Sequence, residues 1–230
     1  MENNPLNRSM KINLTIDLKK LTISRVIKFL VISDLLFLGG WGLIGPILAV
    51  FILREVPGTT LFTVGAAVAA YWFAKSLFQL PIAIFIDKIE GEKDDFYTLL
   101  ASLMLSGFVA MAYLLVDSIG GLILVSALQG VAFAFYTPSW SGIFSRHLDK
   151  EHYALEWSLD STTIGFAYGI TALAGGAMAN YFGFKSVFIF ASLSSFAAAL
   201  LLFTVPNLIL PRQKSNVALI RDHTPANINH

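Results

Sequence analysis

Lys75 and Asp34 are charged side chains set inside otherwise apolar stretches, AAYWFAKSLFQLPIAIF and FLVISDLLFLGGWGLIG. Lys75 stands about 12 residues, hence ~18 Å along a helix, from the next charge at Asp87. In a bilayer that is near the midplane, where a charge costs about 2.5–3.5 kcal/mol on insertion scales and usually faces a cavity or a partner. Lys75 therefore reads as a substrate or counter-ion contact in a central cavity. The alternatives are a structural pair with an acid such as Asp34, or a snorkelling side chain. Asp34 lies about a turn and a half inside the boundary of its own apolar run. It reads as a proton carrier, a solvated acid near an entrance, or the anchor for Lys75. Asp160 and Glu156 are shallower and read as structural partners of Arg146 or Lys150.

Other polar residues fall on the same helical faces. Asp34, Trp41 and Gly45 follow i, i+7, i+11 spacing, and Tyr71, Lys75 and Gln79 follow i, i+4, i+8. Ser126, Gln129, Tyr136 and Trp140 align further along, as do Asp160, Thr163 and Thr171. A separate small-residue stripe, Gly165, Gly169, Ala172 and Gly176, suits close approach of two helices.

The elements that carry these residues are membrane-spanning helices. The chain has 230 residues, 56% hydrophobic and only 13% charged, with a mean hydropathy of +0.69. A soluble domain carries about 25% charged residues. A crossing needs about 20 apolar residues. Six such runs are read, at roughly Phe29 to Leu53, Leu61 to Ile86, Phe96 to Val116, Leu122 to Ser145, Glu156 to Phe182 and Val187 to Leu210. Backbone groups in lipid must be satisfied within their own segment, so the class is all-α: a polytopic bundle of six transmembrane helices. Residues 1–28 form a basic tail that either lies along the membrane surface as an interfacial helix or serves only to enforce topology. Residues 29–210 form the bundle and residues 211–230 a second tail. The first 28 residues lack an apolar core followed by a cleavage site, so no secretory signal peptide is expected.

Of the sixteen Lys and Arg residues, thirteen fall in the two tails and the second-to-third and fourth-to-fifth connections. Arg54 and Lys185 lie on the other side, and Lys75 lies within a span. The positive-inside rule then places both termini in the cytoplasm, most simply of a cell whose plasma membrane holds the protein.

Enzyme chemistry finds no support. There is no cysteine, hence no disulfide, thiolate metal site or thiol nucleophile. No Ser/His pair lies within the membrane and no HExxH occurs, while His147 and His152 on a loop with Asp149 and Glu151 make a poor metal site. No metal or cofactor is expected, and no basic patch outside the tails points to nucleic acid.

In their order along the chain, several segments resemble the N-terminal half of a major facilitator superfamily transporter. These are GGWGLIGPIL in the first span, AYWFAKSLFQLPIAIFIDK in the second, LQGVAFAFYTPSW in the fourth and ALAGGAMANYFGFKSVF in the fifth. The resemblance covers residues 29–210. It implies a cytoplasmic gating loop, with Ala83 standing for that motif's first glycine, Asp87 for its aspartate, Lys88 for its base and Gly91 for its second glycine, one residue late. The basic cluster expected there is replaced by the mostly acidic EKDD. Ser126 stands where many proton-coupled members have Arg, and Ala172 where the antiporter motif has Pro. The resemblance also implies that helices 1, 2, 4 and 5 line a cavity, through Asp34, Trp41, Tyr71, Lys75, Gln79, Gln129, Tyr136 and Trp140, while Gly165, Gly169 and Gly176 serve packing. A small solute would then cross by alternating access, with the chain acting as a homodimer or beside a second half. The alternative is a non-transporting, half-length accessory that binds a partner through its small-residue faces.

Overall fold

The computed structural model describes residues 25–88, 92–148 and 152–204. Among the described residues every regular element is helical. The helices are α1 (Arg25–Ile44), α2 (Leu48–Glu55), α3 (Leu61–Lys88), α4 (Lys93–Ala112), α5 (Ile119–His147), α6 (Tyr153–Phe182) and α7 (Phe184–Leu202), with a 3-10 turn at Tyr113–Leu115. Five stretches are long and apolar enough to cross a membrane: α1, α3, α4 with its 3-10 turn, α5 and α7. The fifth expected span, α6, is the longest helix at 30 residues but falls outside that group. Its first turns carry Glu156, Ser158, Asp160, Ser161, Thr162 and Thr163, which dilute its apolar character.

The first expected span is broken. Gly45, Pro46 and Ile47 form a turn between α1 and α2. Pro46 has no backbone N–H to continue the ladder, and the chain passes it with a tightened bond from Ile47 N–H to the Ile44 carbonyl at 3.1 Å. By contrast Pro81 and Pro138 lie within α3 and α5 without ending them. At the far end of α2, Thr59 Oγ1 donates to the carbonyls of Ile52 (2.8 Å) and Val56 (2.9 Å), closing otherwise open acceptors. Gly58 turns the chain there with φ +74°, a region open to glycine without strain.

Four helices make the packed layer: α1 against α7, α7 against α4 and α4 against α5. Helices α3 and α6 flank it, α3 on α5 and α6 on α1. The third and sixth expected spans, α4 and α7, are thus packed, and α3 and α6 are the least buried of the long helices. Small residues set the crossings. A Cβ on Gly107 would meet the Phe196 ring at 2.6 Å, and one on Gly40 would meet Ser194 Cβ at 2.6 Å. The buried hydroxyls of Ser102 and Ser195 bond back to their own helices at Leu99 O and Ala191 O (2.6 and 2.9 Å), so they need no partner across the layer.

Overpacking a well-filled crossing costs about 1–3 kcal/mol. Gly107→Leu should therefore lower the thermal unfolding midpoint in detergent. Gly65→Leu, at a position with nothing within 4 Å, should leave it unchanged.

Candidate functional site

Helix α5 approaches α3 most closely at Gly130. A Cβ there would run into the Tyr71 carbonyl and lie 3.0 Å from both Ala74 Cβ and Lys75 N. Lys75 leaves α3 at this crossing. It is half-buried, and its Nζ sits 5.2 Å from the centre of the Trp72 ring, a cation–π contact. Tyr71 packs edge-on to Trp72 (5.1 Å) and Phe133 (5.8 Å). Tyr71, Lys75 and Gln79 are all half-buried, while Trp72, Phe73, Leu77 and Phe78 around them are exposed. The expected stripe on α3 is therefore a distinct face of that helix.

Gln129 is tied down rather than free. Tyr113 O–H donates to Gln129 Oε1 at 2.7 Å, and the same phenol lies 3.3 Å from Ser126 Oγ. These groups, with Tyr71, line a cavity of about 90 Å³ that also touches Leu48, Ala67 and Val68. Tyr113 was absent from the sequence-derived site. Its only signal was its place as the one tyrosine deep in the apolar run of the third span.

Asp34, Trp41, Tyr136 and Trp140 form a second group, buried between α1, α5 and α6. Phe37 stacks on Tyr136 (4.6 Å) and Phe133 (5.2 Å), and Trp41 meets Phe133 edge-on at 5.4 Å. Trp140 packs near Trp157 of α6 at 6.0 Å. Asp34, only 2% exposed, has Asp160 and Tyr168 of α6 as its electrostatic neighbours. Lys75 is not its partner: among the described residues Lys75 forms no ion pair. The possible Asp34–Lys75 pair is thereby set aside. Oδ1 of Asp34, Oδ1 of Asp160, the Tyr136 hydroxyl and both indole N–H groups, of Trp41 and Trp140, have no hydrogen-bond partner among the described residues.

The charged end of the bundle has a different logic from the one read in the sequence. Ala83, Asp87 and Lys88 sit in the last turns of α3, while Gly91 lies outside the described residues. The acidic EKDD run is the N-terminal turn of α4, where Asp94 and Asp95 face a favourable helix dipole. Arg146 and His147 end α5, where cations are favoured. Arg146, expected near Asp160 or Glu156, pairs with Asp95. His147 Nε2 lies 3.7 Å from Glu92, and its Nδ1 lies 3.0 Å from the Ile143 carbonyl. Arg146 of α5 thus grips an acid in the first turn of α4, and His147 stands beside Glu92 at that helix's N-cap. Gly142 leaves the space, since a Cβ there would stand 3.1 Å from Asp95 Oδ1.

Among the described residues nothing packs on the glycines of the α6 stripe. Nothing lies within 4 Å of a Cβ placed on Gly165, Gly169 or Gly176. The contact of α6 with α1 runs instead through Gly175, whose Cβ would strike the Leu43 backbone, and through Gly39 and Gly42 of α1 against Thr171.

The family model of the Major Facilitator Superfamily matches residues 30–226. The chain belongs to the Major Facilitator Superfamily. It is thus a multi-pass membrane protein of a family of transporters, not of enzymes. It is similar to the uncharacterized MFS-type transporter MJ1560 of Methanocaldococcus jannaschii, 24% identical over 162 residues, covering 70% of this chain and 40% of that protein. Its fold matches that of the POT family transporter PepTSo with a TM-score of 0.69 at 15% identity, over 82% of this chain and 39% of that one. The chain therefore spans about two fifths of the length of these relatives.

A hydrogen-bonded charge pair contributes about 1.5–3 kcal/mol, and breaking one side leaves the other unsatisfied. In a double-mutant cycle of Asp95→Asn and Arg146→Gln, unfolding in detergent should give a coupling of about 1–3 kcal/mol. Additive effects would mean the two helix ends are held by packing alone.

Proposed function

We propose that this chain is one six-helix half of a transporter that carries a small solute across the plasma membrane by alternating access. A second copy of the chain, or another six-helix half, completes the pathway. Both termini lie in the cytoplasm in this reading, in line with the thirteen cations on that side.

The supporting observation is the contrast between the packed layer and its two flanks. Helix α3 exposes Phe62, Phe73, Leu77 and Phe85, beside a shallow groove floored by Gly65, Ala66, Ala69 and Ala70. Helix α6 exposes Phe166, Ile170 and Leu173 beside its open glycine stripe. Small residues on a lipid-embedded helix permit close approach of another helix. Two copies inserted in the same orientation are related by an axis along the membrane normal, as paired halves are in this type of transporter. A two-fold axis sets α3 of one copy against α6 of the other, twice. The stripe Tyr71, Lys75 and Gln79 then faces the space between the halves. Asp87 and Lys88 sit at its cytoplasmic exit as gating residues with Ala83, and the buried group around Asp34, Trp41, Tyr136 and Trp140 backs the cavity wall.

The open glycine stripe also favours a second reading, an accessory protein that docks a partner helix without transporting anything. Two measurements separate the readings. The chain has no cysteine, so Phe73→Cys combined with Ile170→Cys supplies the only thiols. Each stands twelve residues from the end of its helix opposite the charged loops. Oxidation in native membranes should give a covalent dimer; a species that stays monomeric rules out pairing between copies and leaves a separate second half. Vesicles holding the purified chain should take up solute when loaded in the paired state, and vesicles that never do so favour the accessory.

A further inference from the structure

We infer that the pathway recognises a solute through an anionic group, a carboxylate or a phosphate, bound at Lys75. The inference rests on the transport reading for its location, but its evidence is the distribution of charge.

Three ionisable side chains lie well inside the apolar helices: Asp34, Lys75 and Asp160. The two acids, on α1 and α6, are 2% and 5% exposed and are electrostatic neighbours. Lys75 is on α3, the flank away from α6, half-buried and forming no ion pair among the described residues. Among the described residues, the charges that could neutralise one another are therefore unpaired. What remains on the open face is positive.

Two other outlets for this charge fail. Lys75 is fourteen residues from the start of α3 and thirteen from its end, so about 20 Å of helix separates it from either end and, at mid-helix, about 15 Å of hydrocarbon from either interface. That exceeds the reach of a lysine side chain, and snorkelling is unavailable. The indole of Trp72, 5.2 Å away, supplies a cation–π contact, which offsets only part of the cost of a charge at this depth. An arriving anion would supply the remainder. The surroundings suit one that also has an apolar part: Tyr71 and Trp72 give aromatic faces, and Gln79, one turn along, gives amide donors to a second oxygen. In a two-fold pair the site is presented twice, so a dianion can be held from both sides.

The test is equilibrium binding of radiolabelled phenylacetate to the purified full chain in lipid nanodiscs, which needs no translocation. Saturable binding is expected. The neutral isostere phenylacetamide and the cation benzylamine should each compete about tenfold less well or worse. Lys75→Gln should weaken binding about tenfold or more and Lys75→Arg by only about threefold, because the charge stays. Lys185→Gln, which removes a cation in the first turn of α7, should leave binding unchanged. Competition by inorganic phosphate extends the site to phosphate-bearing solutes, its absence keeps it to carboxylates, and both support an anion site. The inference is overturned if no saturable binding appears, if the amide or the amine competes equally, or if Lys75→Gln binds like the parent. Lys75-dependent binding in a protein that never moves solute into vesicles would sink the transport reading and leave the anion site standing. Solute uptake that survives Lys75→Gln would do the reverse.

Discussion

Everything in this bundle depends on how closely one helix backbone can approach another. Lipid tails are as apolar as leucine, so burial of oily surface does not hold membrane helices together, and association falls to close packing and polar contacts. Glycine supplies the closeness. Gly130 sits against the α3 backbone, Gly175 against Leu43 of α1, and Gly107 under the Phe196 ring. Each joins a different helix pair, and no side chain could be added at any of the three without moving its neighbour. Once the crossings are set, the aromatic residues have little freedom: Phe37, Phe133 and Tyr136 fill the gap between α1 and α5, and Phe51, Tyr113 and Phe188 fill the one beside α2.

Charge placement follows from the same packing. Asp34 of α1 and Asp160 of α6 are buried, while Lys75 of α3 is half-buried and forms no ion pair among the described residues. At the loop end the opposite holds. There the N-terminal turn of α4 and the C-terminal turn of α5 lie side by side, so each helix dipole favours the charges present and the partner helix supplies the counter-charge. The acidic EKDD run thus has a structural role independent of any gate.

Much of this was legible in the sequence, and what was missed has a common physical cause. Apolar length located every long helix, and the i, i+4, i+8 spacing of Tyr71, Lys75 and Gln79 located one face of α3. Periodicity says which residues share a face, but not what that face meets. The spacing of Gly165, Gly169 and Gly176 was as good a packing signal as any, yet it points away from the chain, while Gly175 beside it makes the contact. Shared faces and the resemblance mark Trp41, Tyr136 and Trp140 as lining a cavity, but do not show that their polar tips are buried with no hydrogen-bond partner among the described residues. Long-range pairs such as Asp95 with Arg146, or Tyr113 with Gln129, depend on which helices become neighbours, which no local spacing encodes. The break at Gly45–Ile47 was visible as glycine and proline, but only the surroundings decide whether such a site ends a helix, as Pro81 and Pro138 do not.

That break bears on how the unit moves. Rocking of one half against another requires each half to turn as one body. The turn after α1 would be a point of weakness if α2 were loose. It is not: Phe51 of α2 packs on Tyr113 at the end of α4 and on Phe184 and Phe188 of α7, and Thr59 fastens the end of α2 to the turn that follows. At the other end the Arg146–Asp95 pair fastens α5 to α4. The packed layer is therefore clamped at both ends, and the long helices with the least buried surface are the two at its flanks. In the proposed pair, a layer that moves as one body leaves the contact between halves to α3 and α6, where the open small-residue surfaces lie.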